Sequence, residues 1–167
     1  MNNTDDQNNI LEILKEAISI EIYGKEYYLI FSELVEEENA KSIFKRLVGD
    51  EGNHRVILEK EYRKVSGKSF EAGVMDEKNR EKARHVFPES LEPMTITETQ
   101  EALKIGIRTE ERSIELYSNS AQKTDIISSK DLFFKLVNFE KGHKEILEAA
   151  LYYLGQEGFW HGYSPPR

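Results

Sequence analysis

The sequence predicts an all-α chain, a four-helix bundle built from two repeated helical hairpins joined by one long crossover. Three observations carry that expectation. Apolar residues recur at helical spacing in four separate stretches. Chain breaks group those stretches into two pairs, with a short turn inside each pair and a long connection between them. The second pair also aligns on the first, without a gap, when the chain is slid by 89 residues. At 167 residues the chain fits a single domain that can bury a core without covalent staples.

The first helix is expected from about residue 9 to 37, with Leu11, Leu14, Ile18, Ile22 and Leu29 at helical spacing. The second, from about 39 to 65, carries Ile43, Phe44, Leu47, Ile57, Leu58 and Tyr62. Asn39 is its expected N-cap, and Ser66-Gly67 its stop. Residues 66–96 are the crossover, with Pro88 and Pro93 inside it and a short polar helix expected over 76–84. A connection of that length is either functional or spans the bundle. The third helix runs from about 97 to 124, opened by a capping box of Thr97 with Gln100. The fourth runs from about 128 to 154 and stops before Gly155. Residues 155–167 read as a non-helical aromatic tail, in which Phe159 to Tyr163 cover one end of the bundle or a dimer contact.

Composition narrows the chemistry. The chain holds 31 acidic against 23 basic side chains, for a formal net charge of −8, and 25 of the acids are glutamate. It has no cysteine, which excludes disulfides, cysteine-held zinc or iron–sulfur sites and thiol nucleophiles within these residues. The acidic balance argues against a nucleic-acid partner, which needs a positive footprint. No apolar run approaches the roughly 18 residues of a membrane span. The opening residues MNNTDDQNNI suit neither a secretory signal nor a transit peptide, so a cytoplasmic protein is expected.

The repeat then singles out polar residues in core positions. The 89-residue shift places Glu21 on Glu110, Tyr28 on Tyr117, Glu51 on Glu140 and His54 on His143. Shared apolar positions follow from any two amphipathic hairpins, but shared Glu, His and Tyr positions do not. The inward stripe of the first helix reads Leu14, Ile18, Glu21, Tyr28, and that of the second reads Phe44, Leu47, Glu51, His54, Leu58. Each glutamate sits where a core residue belongs. The paired glutamates are 30 residues apart with the turn midway, near Glu36 and near Asp125. Each therefore lies about 15 residues, or roughly 22 Å, from its turn, so all four should share one level of the bundle.

Four ionised carboxylates cannot stay together in a low-dielectric core without compensation. The stripes contain no cationic partner, so a metal-free polar network does not balance. Two divalent cations do balance it, with Glu-x-x-His placing both donors on one face. Carboxylate-rich sites with one imidazole per ion suit iron or manganese, and zinc can occupy them. The candidate metal ligands are thus Glu21, Glu51, His54, Glu110, Glu140 and His143. One Glu from each of two helices and Glu-x-x-His from the other two is the established pattern of di-iron bundles. His85 and His161 lack a glutamate three residues before them and read as surface residues.

At the segments AISIEIYGKEYY with FKRLVGDEGNH, and GIRTEERSIELY with FKLVNFEKGH, the chain resembles the rubrerythrin-like branch of the ferritin-like superfamily. The resemblance implies a di-iron centre on the six residues above, with the Tyr28 and Tyr117 hydroxyls orienting the ligating carboxylates. It further implies an oxidoreductase active in oxidative stress, reducing hydrogen peroxide or oxygen. The rival readings are a ferroxidase or iron-storage protein assembled into a shell, a substrate hydroxylase with an apolar pocket beside the metals, and a non-catalytic interaction bundle. Two features depart from rubrerythrins proper. The rubredoxin domain and its four cysteines are absent from these residues, so a separate electron donor such as a rubredoxin is expected. The extra carboxylate one turn from the third-helix ligand is also missing, since Ile107 and Ser113 flank Glu110 and Glu111 points about 100° off the stripe. A homodimer is expected, with hairpins either kept within one chain or exchanged between two.

Overall fold

The computed structural model describes residues 3–71 and 99–155, with side chains from Gln7 onward. The expected polar helix over 76–84, Thr97, His85, His161 and the aromatic tail lie outside the described residues. What is described is all helix and turn: α1 (Asn3–Leu34), α2 (Glu38–Ser66), α3 (Thr99–Lys123) and α4 (Ile127–Gly155). No described helix is long and apolar enough to cross a membrane.

α1 begins six residues before its expected start. The opening turns carry no apolar stripe, so periodicity gave them no signal. They are helical nonetheless, and Gln7 ties them down by donating from Nε2 to the Val65 carbonyl near the end of α2 at 2.6 Å. The first turn, residues 35–37, is centred on Glu36, and α1 stops at Leu34, short of its expected end near 37, because Glu37 serves α2 and not α1. Its backbone is extended, and its carboxylate accepts the Ala40 amide at 2.6 Å. Asn39 is therefore not the N-cap. It lies inside α2, exposed, and donates its own amide to Glu37 at 3.0 Å. The stop falls where expected: Gly67 adopts φ 71°, and its N–H bonds the Arg63 carbonyl at 2.9 Å. Leu29 is a second correction. It is 46% exposed, because one residue beyond Tyr28 turns it out of the stripe formed by Tyr28, Phe31 and Val35.

Packing is dense within each hairpin, α1 on α2 and α3 on α4, and lighter between hairpins, through α2 on α4 and α1 on α3. The hairpins lie head to tail. Phe31, Phe44 and Leu47, near the first turn, pack with Leu103 and Leu147 from the open end of the second hairpin. Leu14, Ile18 and Leu58 pack with Phe133 and Leu136 near the second turn. The end of α2 and the start of α3 thus lie at opposite ends of the bundle, which is why the connection between them has to be long. The two apolar clusters are related by the repeat. Tyr28 stacks on Phe44 with centroids 5.9 Å apart, and Tyr117 stacks on Phe133 at 6.2 Å. A side chain at Gly106 would place its Cβ 3.1 Å from Leu147, so glycine there allows α3 its close approach one turn before Glu110.

One buried carboxylate lies away from the centre. Glu61 of α2 is 3% exposed and accepts hydrogen bonds from Ser128 at 2.6 Å and Ser129 at 3.0 Å, at the start of α4. Lys64 adds an ion pair at 3.0 Å. Burial pushes its carboxyl upward, but Ser128, Lys64 and Ser129 outweigh burial and hold it below the usual range. A depressed pKa gives stability that is present above the unfolded value and lost as pH falls through the folded one. Glu61→Gln is therefore expected to lower unfolding free energy by about 1 kcal/mol at neutral pH. The deficit should vanish below the carboxylate range, as read by urea denaturation of both proteins across pH 3–8.

Candidate metal centre

Between the two apolar clusters lies one layer of buried polar side chains. α1 supplies Glu21, α2 supplies Glu51 and His54, α3 supplies Glu110, and α4 supplies Glu140 and His143, all of them buried. The structure brings all six expected residues together. They form two overlapping groups, Glu21, Glu51, His54 and Glu140, and Glu51, Glu110, Glu140 and His143. Within each group one ligand atom per residue lies within 4.8 Å of the others. Glu51 and Glu140 belong to both groups, an overlap consistent with a dinuclear metal site. The two i,i+3 pairs work as helical geometry requires, placing carboxylate and imidazole on one face.

Both imidazoles turn Nδ1 toward the carboxylates. His54 Nδ1 lies 3.1 Å from Glu140, 3.3 Å from Glu51 and 3.5 Å from Glu21. His143 Nδ1 lies 3.0 Å from Glu140, 3.5 Å from Glu51 and 3.8 Å from Glu110. Proximity is not pairing here. Glu21 Oε2, both Glu140 oxygens and both Nδ1 atoms are buried without a hydrogen-bond partner. An orphaned buried polar atom costs about 1–3 kcal/mol, so five converging on one spot would be a severe defect in a purely structural network. They fit a pair of divalent cations, which would accept lone pairs from all five atoms.

The proton equilibria agree. Burial raises the Glu21 carboxyl well above its usual range, reinforced by the Glu51 carboxylate, and burial with Glu140 does the same to Glu110. Burial also opposes ionisation of Glu51, but Glu21 and the two imidazoles outweigh it and hold that carboxyl low. Burial pulls the His54 imidazole down, yet Glu140, Glu21 and Glu51 overcome it and push it up to about 12. His143 is raised likewise, by Asp50, Glu110, Glu140 and Glu51 acting against burial. These are the shifts of a cluster short of positive charge. The atoms that hold protons so firmly are those that would exchange them for a cation.

Tyr28 and Tyr117 cross between the hairpins. Tyr28 of α1 donates to Glu110 of α3, and Tyr117 of α3 donates to Glu21 of α1. Each tyrosine thus fixes the carboxylate two turns from its repeat partner, and at Glu21 the other oxygen, Oε2, faces His54 at 3.5 Å. Ser113 is buried beside Glu110 and Ile107 is half-buried, while Glu111 is exposed and pairs with Lys144 at 2.8 Å. Two neighbours escape a search for repeated residues. Asp50 Oδ2 lies 3.6 Å from His143 Nε2, and the Phe139 ring stacks on His54 with centroids 5.0 Å apart. They occupy equivalent repeat positions but differ in type, so the available signal was a mismatch in the alignment, just before Glu51 and Glu140. Both line a cleft of about 320 Å³ between α2 and α4 that reaches His54 and His143.

Tyr28→Phe leaves a Glu110 oxygen without its donor. Metal-free protein carrying that change is expected to bind Mn2+ about 10–100-fold more weakly by calorimetric titration, with its helical circular dichroism unchanged. Tyr117→Phe should do the same through Glu21.

Comparison with known proteins agrees with the geometry. No curated protein sequence matches the chain. Among solved structures its fold is similar to that of a dodecameric thioferritin, the bacterioferritin-related protein from Bacteroides fragilis. The two are 16% identical over 92% of each chain, with a TM-score of 0.75. A hypothetical protein from Pyrococcus furiosus is 23% identical over 92% of this chain and 93% of its own, with a TM-score of 0.68. Both likenesses establish a ferritin-like four-helix bundle. The model of the family described as Rubrerythrin matches residues 12–151, a span that holds all four described helices' cores and all six clustered side chains. This chain belongs to the rubrerythrin family.

Proposed function

We propose that the chain is a di-iron oxidoreductase that reduces hydrogen peroxide, or oxygen, with electrons from a separate donor protein such as a rubredoxin. The observation that carries the reading is the pair of overlapping Glu/His groups sharing Glu51 and Glu140, with five unpartnered buried atoms converging on them. Glu21 with His54 would serve one ion, Glu110 with His143 the other, and Glu51 with Glu140 both. Three carboxylates, two of them shared, and one imidazole per ion suit iron, with manganese or zinc as other occupants. The chemistry a bound iron pair supplies is two-electron reduction of an O–O bond.

The protein's own part is binding, orientation and access. Tyr28 and Tyr117 hold the Glu110 and Glu21 carboxylates by one oxygen each, which limits how far those side chains can swing. The apolar clusters above and below the layer exclude bulk water and strengthen every electrostatic interaction within it. The cleft between α2 and α4 offers a small oxidant a route to the imidazole edge, past polar Arg46, Asp50, Asn53 and Asn138. With no cysteine in these 167 residues, electrons come from a group outside them.

A second reading rests on one observation. Where rubrerythrins proper carry an additional carboxylate near the third-helix ligand, this chain has buried Ser113 and half-buried Ile107. A centre with fewer carboxylates there favours a ferroxidase that oxidises ferrous iron with oxygen. Anaerobic metal analysis followed by stopped-flow mixing separates the two. The peroxidase reading expects about two irons per chain and oxidation at least ~10-fold faster with peroxide than with oxygen. Faster oxidation by oxygen selects the ferroxidase, and no bound redox metal overturns both. Glu51→Ala with Glu140→Ala should abolish metal uptake; full metal content in that variant would refute the site.

A further inference from the structure

The repeat that builds the centre is broken at its rim. Sliding the chain by 89 residues maps Arg46 on Lys135, Asp50 on Phe139, Glu51 on Glu140 and His54 on His143. The basic residue, the bridging glutamate and the imidazole are kept in both copies. The acid at position 50 becomes an aromatic at position 139.

Because the hairpins lie head to tail, each of these rim residues touches the imidazole of the other half. Asp50 of α2 faces His143 of α4, its Oδ2 lying 3.6 Å from Nε2, the ring nitrogen turned away from the carboxylates. Phe139 of α4 faces His54 of α2 and covers its ring nearly parallel, with an interplanar angle of 14°. The two imidazoles also stack on one another, with centroids 5.3 Å apart. The cluster thus ends in an acid behind one histidine and a phenyl ring on the other. The next layer out preserves the difference. Arg46 lies 3.6 Å from Asp50, whereas Lys135 sits over the Phe139 ring at 5.5 Å. Both copies present one cation at the rim, but only one presents an anion.

A histidine that binds a metal through one nitrogen is oriented, and made a better donor, by an acceptor on its other N–H. At 3.6 Å the Asp50 carboxylate acts on the His143 Nε2–H through its charge and stands within reach of accepting from it, whereas a phenyl face beside the ring offers neither charge nor lone pair. Taking the six residues as ligands, as proposed above, we infer that the two metal positions are inequivalent: the position served by Glu110 and His143 takes up a divalent cation more tightly than the position served by Glu21 and His54, because Asp50 backs only His143. Asp50 acts through His143 and is a positioning residue. Phe139 is the residue that withholds the same support from His54.

Titration of the metal-free full-length chain with Co2+, followed by calorimetry and by the visible absorption of the bound ion, tests the inference. The wild type is expected to take up two equivalents in two resolved steps, differing about 10–100-fold in affinity, the range that loss of an outer-shell partner commonly produces. Asp50→Asn keeps the size of the side chain and should weaken the tight step by about 10-fold while leaving the weak step in place. Phe139→Asp restores the acid behind His54 and should strengthen the weak step until the two converge. A general loss of packing would weaken both steps together, and it could not strengthen either. Two equal equivalents in the wild type, or an Asp50→Asn titration identical to the wild type, would overturn the inference and leave the dinuclear site standing. A wild type that binds no Co2+ would overturn the site and the inference alike.

Discussion

Burial of four carboxylates at one level of a helical bundle is the constraint on which the rest of this structure depends. Left alone, that layer would have to retain protons or open to water, and the raised carboxyls of Glu21 and Glu110 show the pressure. The fold is arranged so that the layer closes on itself. Each helix places its glutamate mid-length, the head-to-tail hairpins bring all four to one level, and apolar clusters seal the layer from both ends. The same layer ties the halves together. Packing between hairpins is light compared with packing inside them, and the Tyr28–Glu110 and Tyr117–Glu21 hydrogen bonds both cross that boundary. A cation pair held by residues from all four helices would add to those ties, so metal binding and hairpin docking share one free energy.

Much of this was legible in the sequence, and for physical reasons. Helical periodicity is strong in amphipathic segments of 25 residues or more, so the four helices and both short turns could be read directly. A polar residue in a core stripe is costly, so Glu21, Glu51, Glu110 and Glu140 stood out as candidate functional positions before any geometry was known. What could not be read depended on details the hydrophobic pattern does not encode. The opening turns of α1 have no apolar face to declare them and are held by a long-range bond from Gln7 to Val65. Whether Glu37 or Asn39 caps α2 depends on where the backbone leaves the extended region, and both side chains carry a suitable acceptor. Leu29 fits an apolar count but faces outward, because a stripe has a width and one residue moves the side chain by 100°. Asp50 and Phe139 were invisible for another reason: a search for repetition rewards what is shared, and their meaning lies in the difference.

That difference follows from how tightly each shell is bound by charge balance. In the central layer, losing any one of the four carboxylates would change the charge that the proposed pair of cations would meet, and losing either imidazole would remove a donor from a buried position. Those residues are therefore the same in both halves. The tyrosines are only slightly freer, since each has to reach one glutamate across the bundle from a fully buried position. The rim is under neither restriction. Asp50 is about one-third exposed, so its charge can be met by water and Arg46. Phe139 is 37% exposed and covered on one face by Lys135, so either residue type is tolerated there without a defect in the core. A duplicated hairpin can keep its symmetry where electrostatics demand it and lose that symmetry where they do not. The first shell that is free to diverge is also the one still close enough to touch the imidazoles, so a change that costs the fold little can set the two halves of the centre apart.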